Sequence, residues 1–192
     1  MVVVFLSGCQ PNAPTTNTSG ESDKIEEIEQ KVHSTGPVTI DEAVDHFPTE
    51  IVEPQKFPFK IGETIAYVDK YQKGLFQEDI IVSLKYYAKG VDPDPGSAFT
   101  TKGPAVEYNI SNSKNLIEEI NKPGSLESFK EDTIGHQTAY FHFDIEDNAS
   151  QVVWWDGEKE LVMGYIGGSD KKNENELREI LIDLYSSVNQ YK

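Results

Sequence analysis

An α+β domain is the fold this sequence predicts: a mostly antiparallel sheet of about six or seven strands with a C-terminal helix packed on one face. Three observations in the last third of the chain predict it. Gln137-Thr-Ala-Tyr-Phe-His-Phe-Asp-Ile145 alternates, with Ala139, Phe141, Phe143 and Ile145 on one strand face and Tyr140, His142 and Asp144 on the other. Gln151-Val-Val-Trp-Trp155 and Glu160-Leu-Val-Met-Gly-Tyr-Ile166 flank Asp156-Gly157, a hairpin signal because glycine accepts the positive φ of tight turns. From Glu174 onward the period changes. Leu177, Ile180, Leu181, Leu184 and Val188 are spaced by three and four, which is one stripe of a helix. Asn173 and Glu176 form a capping box at its start. That stripe must be buried, and the apolar face of the sheet is available to cover it.

The remaining elements follow in chain order. Residues 1–8 read as the remnant of a lipoprotein signal peptide, residues 9–22 as a lipidated cysteine with a flexible tether, and residues 23–192 as one globular domain. Leu6-Ser7-Gly8-Cys9 resembles the lipobox of bacterial lipoproteins, in which the cysteine is diacylglyceryl-modified and becomes the mature N-terminus. The apolar run before it is short and carries no basic residues, so the signal is expected to begin upstream of Met1. Gln10 to Ser22 has no large apolar residue and spans on the order of 20 Å as a flexible coil.

Asp23 to His33 is expected as a short helix, with Ile25, Ile28 and Val32 on one face. Thr39-Ile-Asp-Glu42 is a second capping box, stopped by Pro48. Residues 49–60 read as irregular, with Phe57 and Phe59 plugging an end of the core. Glu63–Tyr71 and Asp79–Tyr87 form a hairpin whose second strand turns Ile80, Val82, Leu84 and Tyr86 to the core. Gly90 to Gly103 is a loop, Ala105–Ile110 a strand and Ser113–Asn121 a short helix. Glu127–Ile134 joins the sheet.

Composition narrows the function classes. Hydrophobic residues make up 37% and aromatics 10%, enough to build a core. A net charge of −16 repels nucleic acid and anionic lipid headgroups. Arg178 is the only arginine, and arginine is the side chain that grips phosphate and carboxylate bidentately, so an anionic substrate is disfavoured. One cysteine allows neither an intramolecular disulfide nor a cysteine-rich zinc site.

The order of pieces resembles the family called domain of unknown function 4367, common in bacterial lipoproteins and membrane-anchored sensor proteins. Phe57-Pro58-Phe59 leads into a hairpin that ends in the Ile80-x-x-x-Leu84-x-Tyr86-Tyr87 strand. Ile134-Gly135-His136 precedes an aromatic strand, and Val153-Trp154-Trp155-Asp156-Gly157 is followed by its return strand and the closing helix. The loop Gly90–Gly103 and the helix around Leu116 depart from that pattern. The resemblance implies a fold and an envelope location; the family has no assigned activity. The outline is also similar to the half-barrels of lipoprotein carriers and periplasmic sigma-factor regulators, which is an analogy of fold alone.

No catalytic signature stands out. There is no Gly-x-Ser-x-Gly elbow around Ser169, no GxGxxG and no P-loop. His136 and His142 lack metal-ligand spacing. Asp92 and Asp94, and the run Asp144 to Asn148, fit solvated turns better than a calcium loop. No metal and no cofactor is expected. The aromatic residues are the better lead, because Trp154 and Trp155 are adjacent and must point to opposite sheet faces. Trp154, Trp155, Tyr140 and His142 are the candidate binding surface, and Cys9 is the lipidation site.

The expected function is that of a non-enzymatic envelope lipoprotein. It sits at the extracytoplasmic side of the cell membrane and meets an envelope protein through its open sheet face. The alternative is a carrier or sensor of a hydrophobic ligand. A flat aromatic patch would mark the first, an enclosed apolar cavity the second.

Overall fold

The computed structural model describes residues 30–73, 77–93 and 103–189. In chain order the elements are β1 (Gln30–Val38), α1 (Ile40–Val44), β2 (Ile61–Lys73), β3 (Gln77–Ala88), β4 (Pro104–Ser111), α2 (Asn115–Ile120), β5 (Lys130–Ile134), β6 (Gln137–Asp144), β7 (Ala149–Trp155), β8 (Glu160–Gly167) and α3 (Glu174–Asn189). Cys9, the tether and most of the Gly90–Gly103 loop lie outside the described residues.

The strands form one antiparallel sheet in the order β1-β2-β3-β4-β8-β7-β6-β5. The α+β class holds, with eight strands among the described residues rather than six or seven. The added strand is β1. Gln30 to His33, expected to end a helix, instead open a strand that pairs antiparallel with β2 from Gln30↔Gln72 to Val38↔Ala66. The thirteen-residue β2 would otherwise leave a long row of backbone donors and acceptors unpaired, and filling it outweighs a weak local helical preference. The Asp23–Glu29 part of that expected helix lies outside the described residues.

One face of the sheet is sealed by α1, the proline-containing segment 48–59 and α3. Leu177, Leu181 and Leu184 are fully buried there with Val68, Val82, Leu84, Ile110 and Trp154. Trp154 lies edge-on to Tyr185, with ring centroids 4.9 Å apart. Both expected capping boxes form. Thr39 Oγ1 accepts from the Glu42 amide while Glu42 accepts from the Thr39 amide, and Asn173 and Glu176 reciprocate in the same way at the start of α3. Segment 48–59 is stitched down by polar contacts. The Gln55 amide donates to Ser187 Oγ (3.2 Å), Tyr86 OH to Glu53 (3.0 Å) and Lys159 Nζ to the Glu50 carbonyl (2.8 Å). Phe57 packs 4.7 Å from Tyr86, filling the end of the core as its position suggested.

The turn Glu146–Ala149 does more than face solvent. Asn148, at φ +54°, is buried. Its amide donates to the carbonyls of Gly168 (3.2 Å) and Asp170 (2.9 Å), and its Oδ1 accepts from the Lys172 amide (3.0 Å). It therefore clips the β8–α3 connection to the β6–β7 turn.

Topology fixes what covers the other face. From the end of β4, in mid-sheet, the chain must reach β5 at the far edge, and α2 rides on that crossing. The chain then steps back through β6, β7 and β8 until β8 lies beside β4. At the opposite end of this face, Tyr87 is fully buried with Ile65 and Ala105, and Tyr67 and Val91 pack against them. Alternation along β3 turns Tyr87 away from the main core, as the sequence pattern predicts, and a small second cluster covers it.

Candidate functional site

The α2-bearing face carries Tyr140, His142 and Trp155, as strand alternation requires, and Trp154 points the other way into the core. Trp154 is therefore removed from the candidate binding surface, because α3 seals its face. The other three are only half-exposed, and each has a structural neighbour. Lys114, just before α2, places Nζ 4.3 Å from the centre of the Trp155 ring. Asn121, just after α2, donates through Nδ2 to Tyr140 OH at 3.2 Å. His142 packs against Phe129, with centroids 5.3 Å apart. Trp155 and Tyr140 thus help to seat α2, and His142 packs against the segment that follows it.

Glu160 of β8 completes that seat. Its carboxylate accepts from the backbone amides of Leu116 (3.2 Å) and Ile117 (2.8 Å) at the start of α2, where helix amides lack internal partners. Burial nonetheless holds its carboxyl above the usual range, opposed by those two donors.

Between α2 and the Tyr87 cluster no described residue covers the face, and an open hollow of about 290 Å³ forms there among the described residues. Register brings its floor together from four strands. Ser83 of β3 faces Asn109 of β4, Lys85 faces Glu107, and Glu107 faces Gly164 of β8, which in turn faces Gln151 of β7. Ile81, Val162 and Leu116 supply apolar walls. Gly164 lies between Glu107 and Gln151, which line the hollow, and adds no side chain to that face. A Cβ placed there meets only the Glu107 and Ser150 carbonyl oxygens, each at 3.8 Å, so the space above is kept by the missing side chain and not by crowding.

The electrostatics of the floor are unbalanced. Glu107 Oε2 and Asn109 Oδ1 are sealed from solvent and have no hydrogen-bond partner among the described residues. Both are acceptors. Burial pushes the Glu107 carboxyl up; the Lys85 charge and a hydrogen bond from Asn109 pull it down without cancelling that effect. Lys85 Nζ lies 4.9 Å over the Tyr67 ring.

A folded-state pKa raised above the ordinary 4.5 means the fold prefers the protonated acid. The stability contribution of Glu107 is therefore highest below that value, falls as pH rises through the folded pKa, and stays low above it. Glu107→Gln is expected to raise the free energy of unfolding at pH 7.5, by about 1–3 kcal/mol if the full penalty of the unsatisfied atom is relieved. The gain should shrink at pH 5. Urea unfolding at both pH values measures it, and an equal or absent gain would contradict the assignment.

Chemically, the hollow is a receptor surface. Glu107 and Glu160 stand four positions apart in β4 register, about 13 Å along the strand, and Glu160 is engaged by the α2 amides. They do not form a carboxylate pair spaced for glycoside chemistry. Among the described residues no group of three or more His, Cys, Asp or Glu gathers at metal-binding distance, and no helix is long and apolar enough to cross a membrane.

No protein-family model, curated protein or solved structure matches the chain.

The geometry itself therefore carries the functional reading. A second hollow, of about 70 Å³, lies between Phe57 and Leu184 and is too small for a lipid chain. Neither hollow is an enclosed apolar cavity. Among the described residues, the large hydrophobics that stand exposed, Ile61 and Ile145, lie toward opposite sides of the strand order and form no shared patch. None of the floor residues of the larger hollow was singled out from sequence. Their signal was present all the same: Ser83, Glu107, Asn109 and Gln151 are polar residues at alternate positions in strands that lie mid-sheet.

Proposed function

We propose that the chain is a non-enzymatic interaction module of the bacterial envelope. It is anchored through Cys9 on the extracytoplasmic side of the membrane and binds an envelope protein in the hollow beside α2. The observation that carries this reading is the hollow itself. Among the described residues it is an uncovered stretch of central sheet, walled by Ile81, Val162 and Leu116, with two floor atoms, Glu107 Oε2 and Asn109 Oδ1, that lack hydrogen-bond partners. Its volume sits at the lower end of the range of about 300–1,000 Å³ for ligand pockets, which suits one inserted side chain better than a whole metabolite.

The lipobox-like Leu6-Ser7-Gly8-Cys9 and the apolar-poor tether support the anchor. The resemblance to the domain of unknown function 4367 family supports the same location. The acid-bearing floor favours a protein partner over a hydrophobic ligand, because burying Glu107 against an alkyl chain would leave its carboxylate unpaired.

Site-specific photo-crosslinking on intact cells tests the proposal. A photo-reactive residue at Leu116 or Ile81 is expected to capture the same partner, and one at Ile180, on the α3 side, is expected to capture none. Adducts formed equally from Ile180, or absent from both rim positions, would refute it.

A further inference from the structure

Resting on that reading, we infer that the hollow receives a lysine side chain of the partner, its ammonium group seated between Glu107 and Asn109. Four observations converge on this chemistry. The unpartnered atoms of the floor, Glu107 Oε2 and Asn109 Oδ1, are both acceptors, so the missing group is a donor. One of them belongs to a carboxyl group, and a buried carboxylate is completed best by a cation that also hydrogen-bonds. The walls beside it, Ile81, Val162 and Leu116, are aliphatic and match a four-carbon stem laid along them. The net charge of −16 draws a basic partner toward the molecule before any contact forms.

Two charged groups stand near the seat, and Lys85 already acts on Glu107 from across the β3–β4 pairing. Lys85 lies over the Tyr67 ring, and Glu160 is held by the α2 amides. An arginine fits less well, since its planar fork asks for a bidentate carboxylate, and one Glu107 oxygen already accepts from Asn109. Burial raises the Glu107 carboxyl and a seated ammonium would lower it, so affinity should rise with pH as Glu107 ionises.

The test uses the full chain, ¹⁵N-labelled, titrated with Nα-acetyl-lysine methylamide and separately with the same compound acetylated at Nε. The free amine is expected to shift the amides of Ser83, Asn109, Gln151 and Gly164 saturably, and the acetylated compound is expected to shift none of them. Glu107→Gln should weaken binding at least tenfold while raising the melting temperature, which separates lost binding from lost fold. Gly164→Val should fill the space and abolish the shifts with the sheet intact. Equal shifts from both compounds, shifts confined to other faces, or undiminished binding by Glu107→Gln would each overturn the assignment. If crosslinks from Leu116 and Ile81 persist while the amine fails to bind, the hollow remains the interaction surface and the lysine chemistry alone falls.

Discussion

Leu181→Ala is expected to lower the free energy of unfolding by about 2–5 kcal/mol. Leu181 is fully buried at the centre of the α3 stripe, one turn from Leu177 and Leu184, which are equally buried. The face beneath it is filled by aromatic side chains, among them Trp154 and Tyr185 in contact with each other and Tyr108 stacked on Trp154 at 6.4 Å. Rigid rings collapse poorly into a void, so the cost should include the cavity as well as the lost transfer energy. Domains of this kind have about 5–15 kcal/mol in all, so the variant would lose a large share of its stability. Equilibrium urea unfolding measures the effect, with exposed Glu179→Ala as a control expected within about 0.5 kcal/mol. A loss under about 0.5 kcal/mol for Leu181→Ala would contradict the packing.

Cys9→Ala is expected to move the protein from the membrane fraction to the soluble fraction. Each buried methylene of an acyl chain contributes about 0.8 kcal/mol, so one chain binds marginally and two or more bind stably. Nothing among the described residues offers a second attachment. No helix there is long and apolar enough to span the bilayer, and a net charge of −16 is repelled by anionic headgroups. Fractionation followed by a carbonate wash reads the result. Undiminished membrane association of Cys9→Ala would remove the anchor from the account.

The Leu181 expectation rests on features that are local in sequence, which is why the packing of α3 was legible there. The α3 stripe, the two capping boxes and the β7–β8 hairpin are each specified within about a dozen residues by periodicity and turn chemistry. The Asp156 turn illustrates it. The Asp156 carboxylate accepts from the amides of Glu158 and Lys159, both at 3.0 Å, and Gly157 takes φ +108°. β1 was not legible, because the partner that makes it a strand, β2, is more than twenty residues away and imposes pairing on a segment with weak preferences of its own.

The hollow was illegible for a related reason. Ser83, Glu107, Gln151 and Gly164 come from four strands, and their shared face depends on the order β3-β4-β8-β7, in which β8 returns to mid-sheet beside β4. Alternation places Trp155 and Tyr140 on the open face but does not show which element meets them. Large rings on a sheet face are the best material for seating a covering element, and α2 with Lys114 and Asn121 uses Trp155 and Tyr140 for that purpose.

Whether the hollow beside α2 is where this protein meets its partner is read by combining the crosslinker with the space-filling variant. A photo-reactive residue at Leu116 is placed in wild-type and Gly164→Val chains on intact cells, and the yield of the partner adduct is compared. An adduct is expected in wild type and its loss in Gly164→Val, at equal protein level and unchanged thermal stability. An adduct of undiminished yield with the hollow filled would contradict it.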